Sequence, residues 1–493
     1  MERDLTQLLE GTDFVGPEGV TVTGFTSDSR DVRDVRDGFV FIAVPGFRTD
    51  GHEYIPQAID RGAAAIVLEN MTDTQGVPTY QVPSSRRALS RIAAAWFDFP
   101  ASQMKIIGIT GTNGKTTITN ILRTIFTTAG MNAASIGTLG YTIGEQFYPT
   151  TLTTPDAPEL HERLAEMVEA DTEIVAMEIS SHALALERVV DIPVETAVFT
   201  NLGEDHYEFH NTREAYRAAK GNLFSRLPDS GHAVLNYDSP EYVWFVENCG
   251  GSVHSYSLQS QDADYYYRDY TADFTGGQGT VQTPYNEFEI STRLLGRYNL
   301  SNILAAIAVA EIHGVDISSI GEGVGSISHV AGRLELVETG DEFPRVYVDY
   351  AHTPDALEST LTEVVYLKNS TPEPAQVIVV FGCGGNRDKA KRPKMGAIAE
   401  KLADRVIVTS DNPRDENPLD IIEDIQSGMA REDTIIEPDR EKAIYKALAL
   451  STPNDFVLIA GKGHEDYQII GDDRIDFDDK VVVQQAIEDL QTP

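Results

Sequence analysis

GITGTNGKTT, residues Gly108–Thr117, is the stretch from which the rest of the chain can be read. Before it, Met104–Ile109 is a short apolar run suited to a buried strand. After it, Ile118, Ile121, Leu122, Ile125 and Phe126 recur at three- and four-residue steps, the period of a helix over Thr116–Thr128. Strand, glycine-rich turn and helix form the setting of a phosphate-binding loop. Glycines let the backbone approach phosphates, N–H groups at the helix start point at them, and Lys115 adds a mobile positive charge. Gly111, Thr112, Asn113, Gly114, Lys115, Thr116 and Thr117 are the candidates for holding a nucleotide, with the Thr116 hydroxyl placed for Mg²⁺. The strict spacing of such loops asks for glycine at 109. Ile109 stands there and Gly108 comes one residue early, so the reading takes Gly108 as a displaced glycine of the loop.

The chain has 493 residues, too many for one core and enough for about three domains. With 41% hydrophobic residues it can bury large cores, and no apolar run approaches the roughly 20 residues that span a bilayer. MERDLTQLLEG at the start has neither a basic opening nor an apolar signal core. Cys249 and Cys383, the only two cysteines, lie far apart without metal-ligand spacing. A reducing, cytoplasmic location is expected. The formal net charge of −38 is spread along the chain and disfavours nucleic acid as a partner. Two explanations stand side by side: adaptation to a salt-rich cytoplasm, where screening shortens repulsion, and an ordinary acidic protein.

An α/β architecture of three domains is expected. Residues 1–102 hold short β-like runs such as Phe39–Val44 and Ala64–Leu68. Residues 103–331 open with the phosphate loop and alternate strands with helices, Ser257–Glu289 reading as an antiparallel excursion. Residues 332–493 begin a second α/β unit, with strands at Arg345–Asp349, Gln376–Phe381, Arg405–Thr409 and Asp455–Ala460. In open α/β sheets functional residues gather at the carboxyl ends of strands. Glu178 ends one run, in MEISSH, and His206 follows another, in TNLGEDH. Each reads equally as a capping or core residue or as a metal ligand; beside a phosphate loop they favour a metal–nucleotide site. Lys220, on a following helix, reads as a solvated lysine as readily as anything else.

GTNGKTT, MEISSHAL, TNLGEDH followed by YRAAK, LGRYN, DYAHTPDAL, GCGGNRDKAKRP, DNPR and GKGHEDYQ occur together and in order. As a set they resemble the Mur ligases, nearest to the MurE type, which add the third residue of the peptidoglycan stem peptide. The resemblance implies a small uridine-nucleotide domain, a central P-loop ATPase-like parallel sheet and a C-terminal Rossmann-like domain for the amino acid. It implies ATP and Mg²⁺, UDP-N-acetylmuramoyl-dipeptide and meso-diaminopimelate as substrates, and a monomer. Lys115, Glu178, His206 and Lys220 become the catalytic set, with Thr116, Glu178, His206 and Lys220 at the metal. Lys220 matches a lysine that is carbamylated in the family.

Asn299 would contact adenine, and Arg333, Asp349 and His352 would approach the nucleotide from the third domain. Ser29, in TSDSR, would contact uridine, while Thr153, Thr154, Ser181 and Arg188 would hold the muramoyl-dipeptide. Leu186 stands near where relatives carry a polar residue. His182 is read as structural or positioning. Arg387, Asp411, Asn412, Arg414, Gly461 and Glu465 would read the incoming amino acid. Arg414 can fork onto the distal carboxylate of diaminopimelate, a group that lysine lacks. The alternatives are the same reaction with L-lysine, and a folylpolyglutamate-synthase-like ligase.

Overall fold

The structure, a computed structural model, describes residues 2–27, 35–46 and 49–491. Three α/β sheets follow one another along the chain. The first is parallel, with strands Gly24–Thr26, Phe39–Ile42, Ala65–Leu68 and Thr79–Gln81 side by side in sequence order. Its middle strands are apolar and, apart from part-exposed Phe39, buried, as a sheet covered on both faces requires.

The central sheet has eleven strands, with Lys105–Thr110 between Ile174–Glu178 and Val194–Phe199, parallel to both. From that strand the chain builds outward on one side, returns, and then builds on the other. The carboxyl ends of these three strands therefore face the crevice at a topological switch point. The polar segment after Ser257, rich in Tyr, Asp and Gly, forms the expected antiparallel excursion, with strands Tyr265–Asp273, Gly276–Gln282 and Glu287–Thr292. Helices Lys115–Thr128 and Arg297–Ile312 bury their apolar residues against this sheet.

The six-stranded third sheet runs Glu335–Val337, Arg345–Asp349, Phe456–Ala460, Val377–Phe381, Arg405–Val408, Ile435–Ile436, parallel except at its first pair. Phe456–Ala460 is inserted between strands far from it in sequence. This brings the ends of Val377–Phe381, Arg405–Val408 and Phe456–Ala460 together. Arg297 of the central sheet's long helix pairs with Glu363 at 3.0 Å and joins the second and third units.

Gly108 does not belong to the loop. It lies inside the strand Lys105–Thr110, paired with Met177 and Ala197, where a Cβ would come within 2.7 Å of the Ile179 side chain. It is a packing glycine. The turn itself runs from Gly111 to Gly114, shorter than the strict spacing assumes.

Candidate active site

Gly111 and Gly114 hold backbone that L-residues rarely adopt, with φ of 148° and 90°. A Cβ on Gly111 would lie 1.8 Å from Thr200 Oγ1, and one on Gly114 would lie 2.6 Å from Asn302 Oδ1. The turn is sewn to the end of Val194–Phe199. Thr112 N–H donates to the Asn201 carbonyl (2.9 Å), Asn113 N–H to Asn201 Oδ1 (3.0 Å), and Gly203 N–H to Thr112 Oγ1 (2.9 Å). The N–H groups that open the helix at Lys115 face a cavity of about 520 Å³.

Two lysines converge on one carbonyl there. Lys115 Nζ donates to Gly111 O (2.9 Å) and to Thr112 O (2.8 Å), and Lys220 Nζ donates to the same Gly111 O (2.9 Å). Lys220 is only 1% exposed, with its ammonium over the Tyr216 ring, so it is no surface lysine. Among the described residues neither lysine pairs with a carboxylate. Burial pushes both amines below the ordinary lysine range, Lys220 well below, with the Lys115 charge as its second cause.

Glu178, 1% exposed, faces the same cavity. Its Oε2 accepts from the Thr116 and Thr138 hydroxyls, both at 3.1 Å, and its Oε1 from Thr138 N–H at 2.8 Å. All three donors are neutral. Arg333 reaches across from the third unit to donate to Thr116 Oγ1 (3.1 Å), its guanidinium over the Tyr350 ring. A buried carboxyl group beside a threonine hydroxyl is a hard-oxygen donor pair that suits Mg²⁺. Among the described residues no three His, Cys, Asp or Glu side chains gather to hold a metal unaided. His206 lines the cavity with φ of 57°, Nε2 3.2 Å from Asp205 and its ring edge-on to His182. Desolvation lowers His182 to about 4, as it does His210, whose Nε2 lies 3.0 Å from Ser181 Oγ.

A second cavity of about 790 Å³ adjoins the first, and Thr153, Asp205, His206, Tyr350, His352 and Thr353 line both. One wall carries Thr153, Thr154 and Arg188, the last held by Asp156 (2.9 Å) and the Thr154 carbonyl (3.0 Å). The opposite wall carries Arg387, Asp411, Asn412, Arg414, Gly461 and Glu465. Arg414 has φ of 52°, pinned by its N–H to Ile469 O (3.1 Å) and by Gly471 N–H to its carbonyl (2.8 Å), and its guanidinium donates to Gly385 O at 2.9 Å. A side chain on Gly461 would meet Asp411 Oδ2 at 2.6 Å.

The sequence matches three family models: Mur ligase family, catalytic domain, over residues 21–97; Mur ligase middle domain over 109–310; and Mur ligase, glutamate ligase domain, over 332–463. A UDP-N-acetylmuramoyl-L-alanyl-D-glutamate--2,6-diaminopimelate ligase of Geobacillus thermodenitrificans is 41% identical over 93% of this chain and 94% of its own length. The chain belongs to the Mur ligase family. A relative of the same description from Gloeobacter violaceus is 42% identical over 97% of this chain and 96% of its own. A solved structure described as UDP-N-acetylmuramoyl-L-alanyl-D-glutamate--2,6-diaminopimelate ligase covers both chains fully, with 31% identity and a TM-score of 0.70.

In this Mur ligase some expected contacts stand a layer back. Asn299 does not line the cavity: its amide donates to Leu295 O (2.7 Å) and its oxygen accepts from Asn302 (3.0 Å), which does line it, with Tyr298 and Ser301. Ser181 is buried against His210, and Ser180 lines the larger cavity instead. Asp349 lines the smaller one, but its oxygens accept from Leu334 N–H (2.6 Å) and the Thr360 hydroxyl (3.2 Å), and burial raises its pKa. Ser29 lies outside the described residues. Thr138, Asn201 and Asn302 are site residues the sequence reading missed. Thr138 and Asn201 just follow strand ends, where such residues are to be sought.

Proposed function

We propose that this Mur ligase joins meso-diaminopimelate to UDP-N-acetylmuramoyl-L-alanyl-D-glutamate, driven by ATP through an acyl phosphate. The observation that carries the reading is the pair of cavities sharing six lining residues. A phosphate-holding chamber opens directly on one walled by Arg188 and the threonines on one side, and by Arg414 and Glu465 on the other. Residues 1–102, 103–331 and 332–493 are taken as the uridine-nucleotide, ATP and amino-acid domains.

Gly111–Thr117 hold the triphosphate, with adenine against the Asn299–Asn302 segment and Arg333 and Asp349 at the domain junction. The dipeptide's D-glutamyl carboxylate, positioned by Thr153, Thr154 and Arg188, attacks the γ-phosphorus, and the bond to ADP breaks. The amine of the amino acid, having lost a proton, attacks the acyl-phosphate carbonyl. The C–O bond to phosphate breaks and the amide forms. Lys115 steadies the charge that develops on the transferred phosphoryl group. Mg²⁺ would be held by Thr116 and Glu178, with His206 and a carbamylated Lys220 as further ligands, and would neutralise phosphate charge. A neutral buried amine is the form that captures CO₂, and a carbamate on Lys220 would set an anion beside the Lys115 ammonium. Ser181 acts from behind this wall.

Arg414 receives the distal carboxylate of diaminopimelate, which L-lysine lacks, and would be left unpaired with lysine bound. A small cavity lined by Thr26, Ser27, Leu186 and Arg188 is taken as the uridine side, since Thr26 and Ser27 adjoin Ser29 in the sequence. No described helix is long and apolar enough to cross a membrane, and the enzyme is taken to act as a cytoplasmic monomer. The test is phosphate release with ATP, Mg²⁺ and the UDP-dipeptide, comparing meso-diaminopimelate with L-lysine. Diaminopimelate is expected to be favoured by about a hundredfold or more; equal rates would overturn the role of Arg414.

A further inference from the structure

Behind the amino-acid wall lies a cation that the proposed mechanism does not use. Lys462 follows the strand Phe456–Ala460 after Gly461 and is 0% exposed. Its ammonium donates to Glu465 Oε2 (3.1 Å) and Asn412 Oδ1 (3.3 Å) and stands 5.3 Å from the centre of the Tyr467 ring. Asn412, Glu465 and Tyr467 all line the larger cavity, whereas Lys462 does not. Lys462 thus bonds two lining side chains without itself lining the cavity. The Asn412 amide is fixed by this contact: its oxygen also accepts from Ile469 N–H (3.0 Å), and its NH₂ donates to Glu465 Oε2 (2.9 Å). A buried ammonium is costly unless paired and hydrogen-bonded. The Lys462–Glu465–Asn412 triangle satisfies it and holds Glu465 Oε2 by two donors.

We infer that Lys462 is a positioning residue for the incoming amino acid, setting affinity for it by holding Asn412 and Glu465 in register without touching it. The inference rests on the assignment of Glu465 and Asn412 to the amino-acid site. A pre-oriented acceptor costs no reorganisation when the substrate ammonium arrives, and a 1 Å loosening of such a shell is enough to lose binding.

K462M keeps the stem and removes the charge. Steady-state kinetics on the intact enzyme, varying the three substrates in turn, should show the KM for meso-diaminopimelate raised about tenfold or more. The KM values for ATP and the UDP-dipeptide should stay within about twofold, and kcat within about threefold. An unchanged KM for diaminopimelate, or a common shift of all three, overturns the inference. Because the lysine acts through Glu465, K462M/E465Q should lie within about twofold of E465Q alone; effects that multiply overturn it. K462Q, uncharged and with its amide nitrogen one bond short of the ammonium, also loses the contacts to Glu465 and Asn412 and reads the same ratios if K462M does not fold. Native enzyme without diaminopimelate turnover, or E465Q with an unchanged KM for it, sinks the site assignment and this inference together. Normal controls with a silent K462M sink this inference alone.

Discussion

At the phosphate loop, Lys115 and Lys220 crowd one carbonyl, and among the described residues neither has a carboxylate partner. At the amino-acid wall three cations are fully buried, yet each is paired. Arg392 bonds Glu416 (3.0 Å) and Asp424 (2.8 Å), Arg440 bonds Asp479 through two contacts of 2.8 Å, and Lys462 bonds Glu465. Arg440 also donates to Ser410 O (3.3 Å) and Ala460 O (3.1 Å), the carbonyls just before Asp411 and Gly461. One region is completed by the anion it binds, whereas the other carries its own counter-charges and stands ready before any ligand arrives. Removing a cation should therefore mean opposite things in the two places.

The largest effect is expected at the loop. Lys115→Ala and Lys220→Ala should each lower kcat/KM by about a thousandfold or more, roughly 4 kcal/mol of transition-state stabilisation. Neither should lower the melting temperature, because each removes an amine whose desolvation no anionic partner offsets. Acetate or another short carboxylate should restore part of the Lys220→Ala activity, standing in for the proposed carbamate. Destabilised variants, or substantial activity without rescue, would break the contrast from this side.

Next comes Arg440→Met, which strands Asp479 and two strand-end carbonyls in the interior. Breaking a buried pair costs about 3–5 kcal/mol, or roughly 10 °C in melting temperature. Replacing both partners by apolar residues should recover most of it, since no lone charge remains. Thermal unfolding of Arg440→Met that matches the native protein would show that the wall is no better braced than the loop.

The same contrast explains what could be read from sequence. Gly111 and Gly114 were legible because close approach and positive φ leave no other residue type, and because strand, turn and helix adjoin in the chain. Gly108 misled because a packing glycine three residues before the turn looks like part of it. Asn299 and Ser181 have the right type at the right place, but tertiary packing turns them toward Asn302 and His210. The braces of the wall were invisible for another reason. Arg440 meets Asp479 39 residues away, and Lys462 meets Asn412 50 residues away, pairings that only the sheet order creates. Local pattern announces a phosphate loop, whereas a Rossmann-like wall is assembled from separate strand ends.

The smallest predicted effect belongs to the doorway between the two regions, where the cavities share His352 and His182 also faces the larger one. His352 is lowered to about 4, first by burial and then by Lys391, and its Nδ1–H donates to Tyr350 O at 2.8 Å; burial likewise brings His182 to about 4. Both sit below the ordinary histidine value near 6.5, so between these limits the unfolded chain binds more protons than the folded one. Their contribution is fully present above about pH 6.5 and is lost as pH falls toward 4, roughly 1 kcal/mol at pH 5.5 for His352 and less for His182, which solvent screens more. Melting temperatures of the native protein and of His352→Asn, compared at pH 7.5 and 5.5, measure this directly. The variant should lose less stability on acidification by about that amount. An identical loss in both would mean that the doorway histidine titrates as if in water, and that this junction is open in solution instead of closed between the two walls.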